Sequence, residues 1–586
     1  LKEVWFADLK LDLRAPSYSL FERVEHGSLE KIGNVTQIIT SRFSTPPMMI
    51  SPTPQSHRKR AVLGIDNGTQ GLTALLVDID DLILPVIAAG EGSYGFVPDL
   101  PNGCYEHRPS DWEEALKAAI QQILTNNPSI LDEQYQLVAI GVAGQMHGHV
   151  SVDAEGNAIG TARLWCDSRN QEEAQELSQL FFQRRDNLPK RVTVARWLWT
   201  MRNQPELAKK ADFLTTPAGF LCYLLTSQKT LGIGDASGMF PMDSSTKDYR
   251  QDLMNLFQDK YREDSVQPLS SLLPKVIVCG EDAGSLTADA AAWLGLPQET
   301  VGIPVAPAEG DQPAALVGSL IGEAGMVSCS FGTSVCANAV GGTSEDSSAI
   351  ISPIVNHFSS VNGEPIYMVW LRNGTTFFNT MVRSYGTSSK ENEDNDVDHF
   401  VSIMPQVLDA PADCGGLLAM PFMDDEPGLG VMEGGTATLM GWNGTNSTAG
   451  NACKAALLST MFNLKQGMDY LQGKNVKMTE IFLSGGLTKT PELGQVVADV
   501  YELPVHLLEG AEEGCAWGSA VLAKYRWLKS QKEELNWVEF LKGIQTKPSQ
   551  SFTPYPPNSA MYQSSYEKNQ ALLKLQPQLL EAMNKS

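Results

Sequence analysis

A chain that carries one hairpin signal twice, far apart, has few architectures open to it. The first copy runs from Val62-Leu63-Gly64-Ile65-Asp66 through Asn67-Gly68-Thr69-Gln70-Gly71 to Leu72-Thr73-Ala74-Leu75-Leu76-Val77-Asp78: apolar strand, polar turn, apolar strand. Asn67-Gly68 predicts a tight turn, because both residues tolerate the positive φ that such a turn demands. Gly68 and Gly71 let a phosphate approach the backbone, and Thr69 and Gln70 offer donors around it. Asp66 closes the first strand, where a carboxylate can hold a magnesium ion through water; in an ordinary hairpin it would make only a turn bond. The second copy starts at Gly325, passes through Gly332-Thr333-Ser334 and runs out to Val340. Two such hairpins, each opening a large segment, predict two related domains with a phosphate-holding turn apiece.

Between and beyond them the chain alternates strand and helix patterns. Asp111 to Asn126 predicts an amphipathic helix with Ser110 as N-cap. Leu137 to Ala143 reads as a short buried strand that ends at Gly144-Gln145-Met146-His147-Gly148, and α/β folds place ligand sites just past such strands. By residue type alone His147 and His149 read first as satisfied core histidines. An apolar run from Ile303 to Ala308 leads to Gly310-Asp311-Gln312, with a helix predicted to start near Pro313. Asp311 would then sit at the helix's positive end, as a reactive carboxylate or as a plain N-cap. Ala455 to Leu471 predicts an amphipathic helix. Glu480 to Pro491 predicts strand, turn at Gly485-Gly486 and helix, a turn that lets a flat base approach the backbone. Small residues from Glu513 to Ala520 predict a closely packed helix, and residues 551–586 a Pro-containing connector with a terminal helix.

Nucleotide held between two hairpin-bearing domains is the logic of the actin-like ATP-binding fold, and the pair of turns resembles the two phosphate motifs of the FGGY carbohydrate kinases. Gly144 to Gly148 is similar, residue for residue, to the sugar-site motif of the family's xylulokinases and sedoheptulokinases. Trp165-Cys166-Asp167-Ser168-Arg169 resembles the family's Trp-x-Asp-x-Arg segment; without the family it reads as a surface Asp–Arg pair, worth little. Gly234 to Gly238 resembles a structural loop over the site. Gly310-Asp311-Gln312 takes the glycerol-kinase form, whereas xylulokinases usually have Asn at the position of Gln312. Residues 421–441 occupy the place of two family signatures and keep neither.

The resemblance implies an α/β fold of two actin-like (ribonuclease H-like) ATPase domains with a cleft between them. It implies a leader over 1–60, an N-terminal domain over 61–320 with the sugar site, a C-terminal domain over 321–550 and a tail over 551–586. The implied reaction is ATP-dependent phosphorylation of a small ketose, D-xylulose first, with sedoheptulose or ribulose as alternatives and a non-catalytic nucleotide or sugar sensor as the reading from another class. Asp311 would be the base. Gln145, Met146, His147, Asp167, Asp311 and Gln312 would hold the sugar, and Gly68, Thr69, Gln70, Gly332, Thr333, Ser334, Gly485 and Gly486 the ATP. Asp66 and Asp311 would hold Mg2+. A homodimer stays open.

Composition decides what else the chain can meet. Its 68 acidic and 44 basic residues leave a net charge of −24, which argues against nonspecific nucleic-acid binding but not against ATP. The nine cysteines form no C-x-x-C pair, as expected of thiols in a reducing compartment. No run reaches the about 18 apolar residues of a membrane span. The chain reads as cytoplasmic, although residues 31–60 are basic, acid-poor and rich in Ser, Thr and Pro, which leaves organelle import, a disordered leader or a gene-model extension open.

Overall fold

The computed structural model describes residues 58–182, 188–263, 267–342, 350, 352–387, 396–508, 514–545 and 548–584. The leader as far as residue 57 lies outside them. Its last residues already belong to the fold: Lys59 opens the first strand, and Arg58 pairs with Glu299 at 2.6 Å.

The first lobe is built on β1 (Lys59–Asn67), β2 (Gly71–Asp78), β3 (Val86–Ser93), β4 (Tyr135–Gly144) and β5 (Glu309–Gly310), in the spatial order β5-β4-β1-β2-β3. The β1–β2 and β2–β3 pairs are antiparallel; β4 is parallel to both β1 and β5. Strand alternation sends Leu63 and Ile65 to one face, where they meet Trp112 and Leu116 of α1 (Pro109–Asn126). Val62 points to the other face, with Ala516 and Ala520. Covered on both sides, β1 and β4 are apolar along most of their length. Two further helices position the site, α2 (Thr193–Asn203) and α3 (Asp311–Gly318).

The second lobe repeats the plan. Its strands are β6 (Met326–Phe331), β7 (Val335–Val340), β8 (Val355–Ser359), β9 (Pro365–Leu371), β10 (Glu480–Gly485), β11 (Val505–Leu508) and β12 (Pro548–Phe552), ordered β8-β9-β7-β6-β10-β11-β12. In both sheets an opening strand has its hairpin partner on one side and a later, parallel strand on the other. The duplicated hairpin is thus the visible part of a duplicated sheet. The helices of this half are α4 (Ala449–Gly473), α5 (Leu493–Tyr501), α6 (Gly514–Ser530), α7 (Pro556–Leu573) and α8 (Gln576–Asn584).

Helix α6 crosses back to the first sheet. A Cβ on Gly64 would collide with the Ala516 carbonyl, and one on Gly141 with the Ser519 carbonyl, so helix and strands touch backbone to backbone. The close packing expected of the small residues is present. An apolar cluster of Met146, Leu316 and Ile321 with Val340, Phe358 and Ile366 joins the lobes behind α3.

Several local expectations need correcting. Helix α1 starts on Pro109 with Arg108 before it, so Ser110 is inside the first turn and not the cap; proline's fixed φ suits that first position. Helix α3 starts at Asp311, two residues ahead of Pro313, with Gly310 as N-cap and no side-chain cap bond. The β1–β2 connection is not an Asn-Gly turn of positive φ: Asn67 still pairs with Leu72, and neither Asn67 nor Gly68 is left-handed. Thr448 caps α4, which begins earlier than the apolar periodicity suggested, its hydroxyl accepting from Asn451 N at 3.2 Å. A short 3-10 turn (Gly486–Lys489) separates the diglycine from α5. The tail is an edge strand and two helices instead of a connector and one.

Candidate active site

The first turn is built on side chains. Gly68 N donates to Gly71 O at 3.0 Å, and the Tyr94 hydroxyl lies 2.6 Å from Gly68 O and 2.9 Å from Gly71 O. Gln145, 1% exposed at the end of β4, donates its amide to Gly68 O at 3.2 Å and accepts from the Thr69 hydroxyl at 3.4 Å. The strand that lies parallel beside β1 thereby holds the turn of β1. Thr69 also accepts from the indole of Trp165 at 3.2 Å, while Gln70 is exposed.

The second turn is built mainly on backbone, with the Thr375 hydroxyl also donating to Gly332 O at 3.0 Å. Gly332 N donates to Ser334 O at 2.9 Å; Gly374 N donates to Thr333 O at 3.0 Å, and Thr375 N to Gly332 O at 2.8 Å. Behind them Asn373 N donates to Glu426 at 2.9 Å, and the Asn373 amide donates to the same carboxylate at 3.1 Å. Residues 421–441 therefore brace the turn through Glu426, although they keep none of the expected signatures. Thr333 and Ser334 present exposed side chains. Gly485 pairs with Phe331, and a Cβ on it would lie 2.7 Å from Phe331 O, so the diglycine abuts the same turn with φ +79.

Near the first turn stand Asp66, at the end of β1, and Asp311, at the start of α3, close enough for the charge of Asp311 to act on Asp66. Asp311 accepts from Gln312 N at 2.8 Å and from the Met146 backbone N–H. Burial pushes its carboxyl up to about 6, against the pull of those N–H donors. Burial and then the charge of Asp311 raise Asp66 to about 7. Asp66 Oδ1 is buried without a hydrogen-bond partner. Two repelling carboxylates, one with an orphaned oxygen, suit a divalent cation. The Cys515 thiol donates to the Asp311 carbonyl at 3.3 Å, tying α6 to this helix start, and all nine cysteines are free.

Of the expected sugar residues, Met146 and Gln312 touch Asp311 and His147 follows Met146. Met146 packs against Gly310 and into the cluster joining the lobes. His147 has φ +64; its Nδ1–H donates to Gly238 O at 3.1 Å and its Nε2 accepts from Arg191 Nε at 3.2 Å. Burial, then the charge of Arg191, holds the ring neutral, well below its ordinary range. His149 is a core histidine, 3% exposed. Asp167 is no surface partner of Arg169: it is fully buried and accepts from Arg169 Nη2 at 2.7 Å and from Tyr105 N at 2.9 Å.

Sequence reasoning passed over the residue that organises this wall. Arg196 of α2 is fully buried and donates to the carbonyls of Trp165 (3.0 Å), His147 (3.3 Å), Asp167 (3.4 Å) and Arg191. An arginine in an amphipathic helix ordinarily faces water, so nothing local marked it. Glu309 and Asp235 were also missed. Glu309 accepts from Asp235 N at 3.0 Å and lies so close to Gly232 and Gly234 that a Cβ there would collide with it.

A twice-repeated sheet with a hairpin turn in each copy, a pair of interacting carboxylates near the first turn, and a polar wall beside one of them fit a nucleotide-dependent phosphotransferase class. The N-terminal domain model of the FGGY family of carbohydrate kinases matches residues 61–318 and its C-terminal domain model residues 327–527. The chain belongs to that family. It is 25% identical over 516 residues to the xylulose kinase of Haemophilus influenzae, covering 86% of this chain and 98% of that protein. The crystal structure of the xylulose kinase of Rhodospirillum rubrum is similar with a TM-score of 0.74 at 21% identity, over 88% of this chain and 99% of that one. Plasmodium falciparum glycerol kinase with ADP is similar with a TM-score of 0.71 at 17% identity, over 88% and 98%. The two-domain, actin-like α/β fold and carbohydrate kinase activity with ATP follow. Among the described residues no helix is long and apolar enough to cross a membrane.

Proposed function

We propose that the sugar is a small ketose, D-xylulose first, phosphorylated on a primary hydroxyl. Residues 61–320 would carry the sugar site and first phosphate turn, and residues 321–550 the second turn and the adenosine-side diglycine. The observation that carries the reading is Asp311, a half-buried carboxylate raised to about 6 beside Met146 and His147 and facing Asp66.

Asp311 takes the proton from the acceptor hydroxyl, whose oxygen bonds the γ-phosphorus as the β–γ bridge breaks and ADP leaves. General base help of this kind contributes about 10²–10⁴ in rate. Gly68, Thr69 and Gln70 hold phosphate from one side; Gly332, Thr333 and Ser334 hold it from the other, and Gly485 and Gly486 leave room for the base. Asp66 and Asp311 would hold Mg2+, which, when bound, offsets charge on the transferring group. Gln145, Met146, His147 and Gln312 form the sugar side, with Asp167 supporting it from its buried pair with Arg169.

The test is ADP release with MgATP against D-xylulose, sedoheptulose, D-ribulose, L-ribulose and glycerol. Highest kcat/KM for D-xylulose supports the assignment; a clear preference for another acceptor replaces the sugar but keeps the chemistry.

A further inference from the structure

One two-residue strand serves both halves of the site. Glu106–His107 pairs with Ala162–Arg163, and strand alternation sends its two side chains opposite ways. Glu106 goes to Arg169 of the sugar wall; His107 goes to Gln145, the residue that holds the first turn. His107 is fully buried among the rings of Tyr94, Phe96 and Trp112, with centroids 5.1, 5.2 and 5.9 Å away. A phenylalanine would meet those rings as well. Histidine instead leaves its Nε2 buried without a partner, a cost that its other nitrogen has to offset.

That other nitrogen faces two donors. The Trp112 indole can only donate and lies 3.2 Å from Nδ1, so Nδ1 is the acceptor and the ring proton sits on Nε2. Burial lowers the ring to about 4, which keeps the Nδ1 lone pair available at neutral pH. The Gln145 amide nitrogen shares that lone pair at 3.4 Å and donates to Gly68 O at 3.2 Å, while Gln145 Oε1 accepts from Thr69. Turning the amide over would set its oxygen against the His107 lone pair and the Gly68 carbonyl at once. His107 and Gly68 together therefore admit one orientation of Gln145.

The effect reaches the backbone. In a trans peptide the C=O and the N–H that follows point opposite ways. With Gly68 O drawn inward by Gln145 and Tyr94, the Thr69 N–H points away from them, and among the described residues nothing accepts from it. We infer that His107 is a positioning residue for the first phosphate turn: it orients Gln145, Gln145 fixes the Gly68 carbonyl, and the Thr69 N–H is thereby aimed at a phosphate oxygen. The inference rests on the reading of Gly68, Thr69 and Gln70 as a phosphate turn and adds to it a buried residue that acts through another.

The experiment measures the Kd for MgATP by calorimetry in wild type, His107→Phe, His107→Asn, Gln145→Leu and the double variant of His107→Phe with Gln145→Leu. His107→Phe keeps the ring without the acceptor and should weaken binding about fivefold, as for one lost hydrogen bond. His107→Asn puts its Oδ1 in the place of Nδ1 and should stay within about twofold of wild type. Gln145→Leu should weaken binding about tenfold and the double variant no further, because a residue that acts through a second adds nothing once the second is gone. Calorimetry reads the affinity of the binding-competent fraction, so partial unfolding of a variant does not imitate the effect. If His107→Phe alone does not fold, His107→Leu takes its place. Additive losses in the double variant, or His107→Asn as weak as His107→Phe, assign His107 to packing and overturn the inference. Wild-type affinity in His107→Phe, or failure of every His107 variant to fold, overturns it as well. The reading of the turn fails separately: if Gln145→Leu binds MgATP as wild type does, the first turn does not hold phosphate, and the inference falls with it.

Discussion

The two hairpin turns sit at the same place in two copies of one sheet, yet they are held differently. The first is locked by side chains that arrive from elsewhere in the first lobe: the Tyr94 hydroxyl at 2.6 Å from Gly68 O, the buried Gln145 amide, and the Trp165 indole. The second is locked mainly by main chain, with the N–H groups of Gly374 and Thr375 donating to Thr333 and Gly332, the Thr375 hydroxyl adding a 3.0 Å bond to Gly332 O, and Glu426 fixing Asn373 behind them. A duplicated fold repeats hydrogen-bonded strands, because the ladder depends on backbone alone. Braces depend on individual side chains and have gone separate ways. The first turn should therefore tolerate the loss of one partner, whereas the second should fail when a single atom is inserted.

The sharpest way to break the comparison is Gly374→Ala. The added Cβ would lie 2.5 Å from both Gly332 O and Thr333 O, which are backbone atoms and cannot swing aside. We expect about 1–3 kcal/mol of lost stability from such overpacking. We also expect kcat/KM for ATP to fall about 10²-fold, read by steady-state kinetics and a melting curve; a variant as active as wild type would mean that the second turn is not backbone-braced. Tyr94→Phe is the matched probe of the first turn. It removes one hydroxyl from a turn that keeps Gln145 and Trp165, so about 1 kcal/mol and a several-fold rise in the KM for ATP are expected. If Tyr94→Phe proves the worse of the two, the contrast between the turns is reversed.

A smaller effect separates the turns electrically. Asp66, beside the first turn, is raised to about 7 and Asp311 to about 6, above the ordinary carboxylate range, so between about pH 4 and 7 the folded protein binds more protons than the unfolded chain. Their contribution to stability is fully present below about pH 4 and is lost progressively as pH rises to about 7, through the folded values of about 6 and 7. Melting temperatures of cation-free protein should fall across that interval, and Mg2+ should restore the loss at the upper end; Asp66→Asn should flatten the profile. No such dependence is expected from Thr333 and Ser334.

What could be read from sequence divides along the same line. Both hairpins, the strand that became β4 and the core of α4 were legible, because each is written in apolar periodicity over neighbouring residues. The start of α1 was misjudged because Pro109 outranked Ser110, and the Asn67-Gly68 signal misled because the strand pairing continues past it. Gln145 was singled out for the sugar and is found spanning to the first turn; Asp167, read as an exposed pair without the family's help, is sealed inside. Tyr94, Arg196 and Glu426 left no local trace. Each matters through a partner tens of residues away, and only the folded chain brings such partners together.

The central claim is that the Asp311 carboxylate takes the proton from the sugar. Asp311→Asn tests it most directly, since the amide keeps the shape and cannot accept that proton. Sugar-dependent ADP release should fall at least 10²-fold, as expected for loss of a general base, while ATP affinity by calorimetry stays within a few-fold of wild type. Near-normal turnover in Asp311→Asn would contradict the account and move the search for the base elsewhere in the cleft.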